Sequence, residues 1–152
     1  MHVNWHTSHR LAKVAFPLNV HNDSTTCEIP YGHITRRDYT SPKATPEDKA
    51  KYEVPGQKWV DHTDANGKYG VSLLNDCKYG FDQVNNVLRV TLLRSAIRPA
   101  SLQEEREARA AGKKPDETKG KTTDQGKHEI KLAVYPHKGD WRDALTVKKA
   151  SS

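Results

Sequence analysis

The sequence predicts a mainly β protein, an antiparallel β-sandwich with a short inserted surface helix. Three observations carry that prediction. Apolar residues recur at period two in several short runs, the pattern of strands that bury one face. Turn-forming clusters punctuate those runs, at Asn22-Asp23-Ser24, Asn66-Gly67 and Asn85-Asn86. Only one long stretch, 101–112, has the composition of a helix.

Each element follows from local chemistry. Ala12, Val14 and Phe16 alternate with Lys13 and Ala15, and Leu18 and Val20 resume the pattern after Pro17. A proline inside such a run marks an edge or a bulge. Thr25–Ile29 reads as a second strand, joined to the first as a hairpin through Asn22-Asp23-Ser24. Tyr31–Ile34 follows Pro30. The polar tract 36–51 has room for one helical turn after Thr45-Pro46-Glu47, because proline is tolerated at the first helical position. Lys58–Asp61 is a short apolar element, and Asp64-Ala65-Asn66-Gly67 turns the chain into a strand from Tyr69 to Leu74. Val84-Asn85-Asn86 turns it again into Val87–Arg94, the longest strand, with Leu88, Val90 and Leu92 on one face and Arg89, Thr91 and Leu93 on the other.

Beyond residue 100 the rhythm changes. Ser101-Leu102-Gln103-Glu104 has capping-box spacing, and the helix-forming run to Ala111 can end at Gly112. It lacks an apolar stripe, so the helix sits on the surface. Residues 113–127 read as a polar loop. His128–Tyr135 returns to alternation, with Ile130, Leu132 and Val134 on one face, and Pro136 stops it; the tail from Thr146 is polar. The expected core is Phe16, Leu18, Leu73, Leu88, Val90, Leu92, Leu132 and Val134. That is thin for two facing sheets, and it suggests a module that leans on a neighbour.

Composition narrows the function classes. The chain has 152 residues, of which 34% are hydrophobic, and its mean hydropathy is -0.90. The length suits one domain. The net charge of +6 is spread along the chain and concentrates nowhere into a phosphate-binding stripe, which argues against nucleic acid. Cys27 and Cys77 make no disulfide framework and no Cys-x-x-Cys pair, so they read as reduced thiols of a cytoplasmic protein. The start carries no signal-peptide pattern, and the apolar runs are too short to span a membrane.

The densest chemistry lies in Val71–Asp82, where Asn75, Asp76, Lys78, Tyr79 and Asp82 fall within eight residues. Asp76 and Asp82 invite comparison with the paired carboxylates of glycoside hydrolysis, but nothing in the sequence sets them across a scissile bond. The plainer reading is that Asn75 and Asp76 brace a turn while Lys78 and Tyr79 point outward. Cys77 has no histidine at a nucleophile's spacing. His2, His6 and His9 lack the carboxylate or cysteine that would complete a zinc site. His33, His128 and His137 each lie beside a glycine or proline break, as loop-tip hydrogen-bonding residues would. The cluster His137-Lys138-Gly139-Asp140-Trp141 suits either stacking on a sugar or packing at a boundary. No phosphate-binding glycine loop and no Gly-x-Ser-x-Gly elbow occurs.

Several stretches together resemble the glycoside hydrolase family 38 α-mannosidases. They are Trp5-His6, Lys13–Leu18, Glu28–Ile34, Lys58–Asp61, Leu73–Gly80, Leu92–Ser95, Gly126-x-His128-Glu129 and Ala133–Trp141. Their order is that of the C-terminal β-sandwich region in the bacterial and cytosolic branch of the family, over about residues 3–145. The resemblance implies that residues 1–150 form such a domain, with 101–125 as a helical and polar insertion. It also implies that a separate N-terminal α/β domain, absent from this chain, carries the divalent metal, usually zinc, and the catalytic carboxylates. No metal ligand or catalytic residue transfers onto this sequence. Asn75, Asp76, Lys78, Tyr79 and Arg94 transfer as residues at the rim of the active site or behind it, with His33, His137, Asp140 and Trp141 in support.

The function so implied is that of part of a retaining α-mannosidase, cytoplasmic and inactive by itself. Its partners would be the catalytic domain and an α-mannoside, with homo-oligomerisation of the whole enzyme left open. The alternative is a free-standing carbohydrate-binding or structural module without catalysis.

Overall fold

The computed structural model describes residues 1–97, 102–112 and 122–151. Among them are eleven strands and three helices. In chain order these are β1 (His2–Trp5), β2 (Leu11–Pro17), β3 (Ser24–Ile29), β4 (Gly32–Arg37), α1 (Pro46–Lys49), β5 (Val54–Pro55), β6 (Trp59–Thr63) and β7 (Tyr69–Asn75), followed by β8 (Gly80–Val84), β9 (Val87–Arg94), α2 (Leu102–Ala110), β10 (Gly126–Glu129), β11 (Leu132–Lys138) and α3 (Thr146–Ala150). The chain divides into two compact units. One is Met1 with Lys13–Leu92 and Ile130–Ser152; the other is His2–Ala12 with Leu93–Glu129.

The larger unit holds a five-stranded sheet of order β11-β7-β6-β3-β4 and a four-stranded sheet of order β2-β9-β8-β5. All registers resolved within them are antiparallel. The two sheets meet as a sandwich. Val60, His62 and Leu73 from one and Phe81, Leu88 and Val90 from the other are buried. Thr25 Oγ1 donates to Gln83 Oε1 across the gap at 3.2 Å. Gly56 is required there, since a Cβ would stand 2.9 Å from the Phe81 ring and 3.1 Å from Val60. Full burial of each large apolar side chain contributes about 1.5–3 kcal/mol.

Several elements form for the reasons the sequence supplied. The β6–β7 hairpin turns at Asp64–Gly67, with Gly67 at φ 67° and the Asp64 carboxylate accepting the Lys68 and Tyr69 N–H groups. The β8–β9 hairpin turns at Asn85 and Asn86, with φ 49° and 61°, as a type I′ turn demands. α1 opens on a capping box in which Thr45 and Asp48 exchange hydrogen bonds.

Other expectations are corrected. β2 and β3 lie in different sheets, so Asn22-Asp23-Ser24 joins the two layers of the sandwich and closes no hairpin. β3 forms its hairpin with β4, through the turn at Pro30-Tyr31, and pairs with β6 on its other side. The strand expected over 128–135 is two strands, β10 and β11, in different sheets. Pro136 does not end β11, which runs on to Lys138. Because β11 is an edge strand paired only with β7, the missing proline N–H costs no ladder bond. The tail from Thr146 is helical, with Thr146 buried. Phe16, Leu18 and Leu132 are only half-buried and Val134 is exposed, on strands β2 and β11 or beside them at the sheet edges. Trp59, Phe81, Val60, Val20, Leu93 and Ile130 are buried in addition to Leu73, Leu88, Val90 and Leu92.

The smaller unit contains a two-stranded ribbon of β1 and β10, in which Val3 faces His128, together with α2, whose described side chains are mostly exposed. Trp5 Nε1 donates to Ser95 Oγ. The Gln125 amide donates to the Thr7 carbonyl at 2.8 Å. The expected cap at Ser101 and most of the expected polar loop (113–121) lie outside the described residues.

Candidate functional site

The chain from β7 to β8 is held by Asn75. Its side chain is buried at the end of β7. Nδ2 donates to the Gln57 carbonyl, while Oδ1 accepts the N–H groups of Cys77 and Lys78. One amide thus ties three backbone groups from two segments, which a carboxylate or an aliphatic side chain cannot do. The braced turn presents Asp76 and Tyr79 to solvent and leaves Lys78 half-buried. Asp76 accepts from the Lys131 N–H at 3.4 Å. A hydrogen bond from Cys77 holds the Asp76 carboxyl below its usual range, against a smaller push from burial. Burial and the same carboxylate push the Cys77 thiol up, so it is a poor nucleophile.

Asp82 has a different fate. It lies on β8, buried, and pairs with Lys13 and Arg89. Glu53 joins from β5's side, 3.7 Å from Lys13, and accepts from Thr91. Asp82 is therefore an anchor within a charge lattice. β8 itself was not legible in the sequence, because buried Asp82 and Gln83 interrupt its apolar pattern.

The other face of the five-stranded sheet carries a set that spacing could not reveal. In β6 and β7, Asp61 stands opposite Ser72. Asp61 Oδ1 accepts from Ser72 Oγ at 2.7 Å and lies 2.8 Å from His137 Nε2. Asp61 Oδ2 accepts from Thr63 Oγ1 at 2.6 Å. Ser72 Oγ also lies 3.1 Å from His137 Nε2 and 2.8 Å from Thr146 Oγ1. Asp61, Ser72 and Thr146 are buried, and the His137 side chain is 2% exposed. A serine–histidine–carboxylate relay needs the serine and the acid on opposite ring nitrogens. Here both lean on Nε2, while Nδ1 is buried without a partner. The set is a polar brace, and His137 sits within β11 rather than at a loop tip.

The segment after β11 covers that face. Gly139, at φ 70°, starts a turn in which Asp140 Oδ1 accepts the N–H groups of Arg142 and Asp143 at 2.7 and 3.2 Å. Burial pushes the Asp140 carboxyl up, but those N–H bonds and the Arg142 guanidinium outweigh it, and the net pKa is lowered. Trp141 packs on Trp59 at 4.9 Å between centroids and on His33 at 4.8 Å. Arg142 lies 4.1 Å over the Trp141 ring and 3.3 Å from His33 Nε2. Trp141 therefore packs this face. Arg94 belongs to the smaller unit, where its side chain is exposed, its N–H donates to Asp124 at 2.8 Å and its carbonyl accepts from Thr123 Oγ1 at 2.7 Å.

Among the described residues no group of three or more His, Cys, Asp or Glu side chains converges to hold a metal ion. No described helix is long and apolar enough to cross a membrane. Cys27 is buried, and its thiol is pushed to about 11 by burial, with the Arg36 guanidinium opposing.

Fold and site define an antiparallel β-sandwich domain whose densest surface chemistry is a loop braced from below. Comparisons with known proteins sharpen that class. A model of the "Glycosyl hydrolases family 38 C-terminal domain" matches residues 1–102. The chain is 35% identical over 148 residues to Alpha-mannosidase 2C1 of Mus musculus, covering 97% of this chain and 12% of that protein. It is 39% identical over 136 residues to Alpha-mannosidase of Saccharomyces cerevisiae, covering 90% of this chain and 10% of that one. The crystal structure of an alpha-mannosidase from Enterococcus faecalis V583 shares the fold, with a TM-score of 0.71 and 16% identity over 99% of this chain and 15% of that chain. The chain belongs to glycosyl hydrolase family 38, as its C-terminal domain. It spans about 12% of the length of the mouse relative.

Proposed function

We propose that this chain is the C-terminal β-sandwich of a cytoplasmic α-mannosidase, a retaining glycoside hydrolase that removes α-linked mannose from oligosaccharides or glycosides. Residues 1–150 act as one domain in that enzyme, with 101–125 as its insertion. The carboxylates and the divalent metal, zinc by the family resemblance, belong to a catalytic domain outside this chain. The sandwich stabilises that domain and lends it part of its rim. The observation that carries the reading is Asn75. The buried amide accepts from two N–H groups of the 76–79 turn and donates to the Gln57 carbonyl, and the turn so fixed carries exposed Asp76 and Tyr79 and half-buried Lys78.

Such preorganisation suits groups that must meet a sugar hydroxyl or a neighbouring domain at a set distance. Lys78 supplies a hydrogen-bond donor and Tyr79 an aromatic face with a polar tip. Arg94 supplies a second cation at the end of β9. His33, His137, Asp140 and Trp141 keep the covered sheet face rigid. The yeast relative, with its matching segment replaced by this chain, supplies the test. Lys78→Ala and Tyr79→Ala in that chimera are expected to lower kcat/KM for an aryl α-mannoside about tenfold or more, the loss of one good transition-state contact, with Tm unchanged. Unchanged kcat/KM in both variants removes the rim role.

A further inference from the structure

The β3–β4 hairpin carries a strain that the fold does not need. Its two-residue turn, Pro30-Tyr31, closes on the pair Ile29 and Gly32. Tyr31 has φ 63°, at the turn position where a type II geometry favours glycine. A side chain there crowds its own backbone. The ring gains no packing in return, since Tyr31 is 109% exposed. Strained residues of this kind gather where a side chain must be presented.

The ring stands beside a shallow, open pocket of about 260 Å³, lined by Glu28, Gln57, His33, Trp59 and Trp141 as well as Tyr31. Trp141 has Trp59 and Arg142 against it, which leaves Tyr31 as the free aromatic face among these residues. The polar groups are mixed. Glu28 spends Oε2 on the Lys58 N–H at 2.6 Å and keeps Oε1. Gln57 adds an amide. Trp59 is 1% exposed, and its Nε1 donor has no partner, an unusual state for a buried indole. An exposed ring beside a carboxylate and an amide complements a neutral pyranose, which has one apolar C–H face and a rim of hydroxyls. The Glu28 carboxylate disfavours an anion.

We propose that this pocket binds one pyranose ring of a glycan, stacked on Tyr31 with its hydroxyls toward Glu28 and Gln57. The choice of a mannoside as first probe rests on the mannosidase reading; the pocket does not. The test is titration of the 152-residue chain with methyl α-mannoside and, separately, methyl α-glucoside, followed through the indole N–H resonances of the three tryptophans. The expected result is saturable, millimolar binding that shifts the Trp59 and Trp141 resonances and leaves Trp5 in place. Tyr31→Gly removes the strain, so its Tm is expected to stay level or rise while affinity falls at least tenfold. Binding of either glycoside at this site sustains the proposal, and a preference for glucoside counts against the mannosidase reading alone. Absence of shifts with both probes at tens of millimolar overturns it, as does binding that Tyr31→Gly leaves intact.

Discussion

Asn75→Ala is the sharpest test of how the 76–79 turn is held. The substitution removes a donor to the Gln57 carbonyl and an acceptor for two N–H groups. Each intramolecular hydrogen bond contributes about 1 kcal/mol net. Cys77 is exposed, so water can replace its bond in part, whereas Lys78 is half-buried. The expected cost is therefore about 2–3 kcal/mol. Unfolding entropy near 2.1 cal/mol/K per residue over 152 residues is about 0.32 kcal/mol/K, so Tm falls by about 6–9 °C. Asn75→Asp keeps the acceptor but loses the donor and turns a buried carboxylate oxygen on the Gln57 carbonyl, so it is expected to destabilise by about 1–3 kcal/mol. Urea unfolding with linear extrapolation reads both values. An alanine cost below about 0.5 kcal/mol, the range of inert surface changes, refutes the bracing argument.

The remaining predictions concern the rest of the fold. Asp61→Ala removes the acceptor of buried Ser72, of half-buried Thr63 and of His137 and is expected to cost about 2–4 kcal/mol, read by denaturant unfolding, with Asp61→Asn milder. A thiol reagent is expected to label Cys77 in the native chain, faster as pH rises because its thiol is pushed up, and to reach buried Cys27 only on unfolding; a second fast thiol contradicts this. Burial raises the Asp64 carboxyl, but the Tyr69 and Lys68 N–H bonds outweigh it and leave the pKa lowered. Its stabilisation is complete above the ordinary carboxylate pKa of about 3.9 and is lost as pH falls through the lowered value. The stability gap between wild type and Asp64→Asn should then be present at neutral pH and close in acid.

What the sequence disclosed and what it hid divide along physical lines. β9 was readable because Leu88, Val90 and Leu92 alternate without interruption. The β6–β7 hairpin and the turn before β9 were readable because Asn66-Gly67 and Asn85-Asn86 accept left-handed backbone. Local chemistry does not say which sheet a strand joins, so Asn22-Asp23-Ser24 looked like a hairpin turn and proved to cross between layers. β8 was hidden because its charged residue, Asp82, is buried by pairing with Lys13 and Arg89 rather than by being apolar. The Asp61–Ser72–His137–Thr146 brace was illegible because only the register of β6, β7 and β11, with α3 laid over them, brings those residues together. The turn at Asn75 stood out by its density of polar groups, and the resemblance gave it a context. The Tyr31 pocket had no sequence signal beyond Pro30-Tyr31 in a turn.

Hydrolysis of an aryl α-mannoside tests the central claim most directly, measured on the 152-residue chain alone and on the yeast relative carrying it in place of the matching segment. The account predicts turnover in the chimera, abolished by a chelator, and none in the isolated chain. Turnover by the isolated chain that survives the chelator would contradict it, because the chemistry would then lie within these residues.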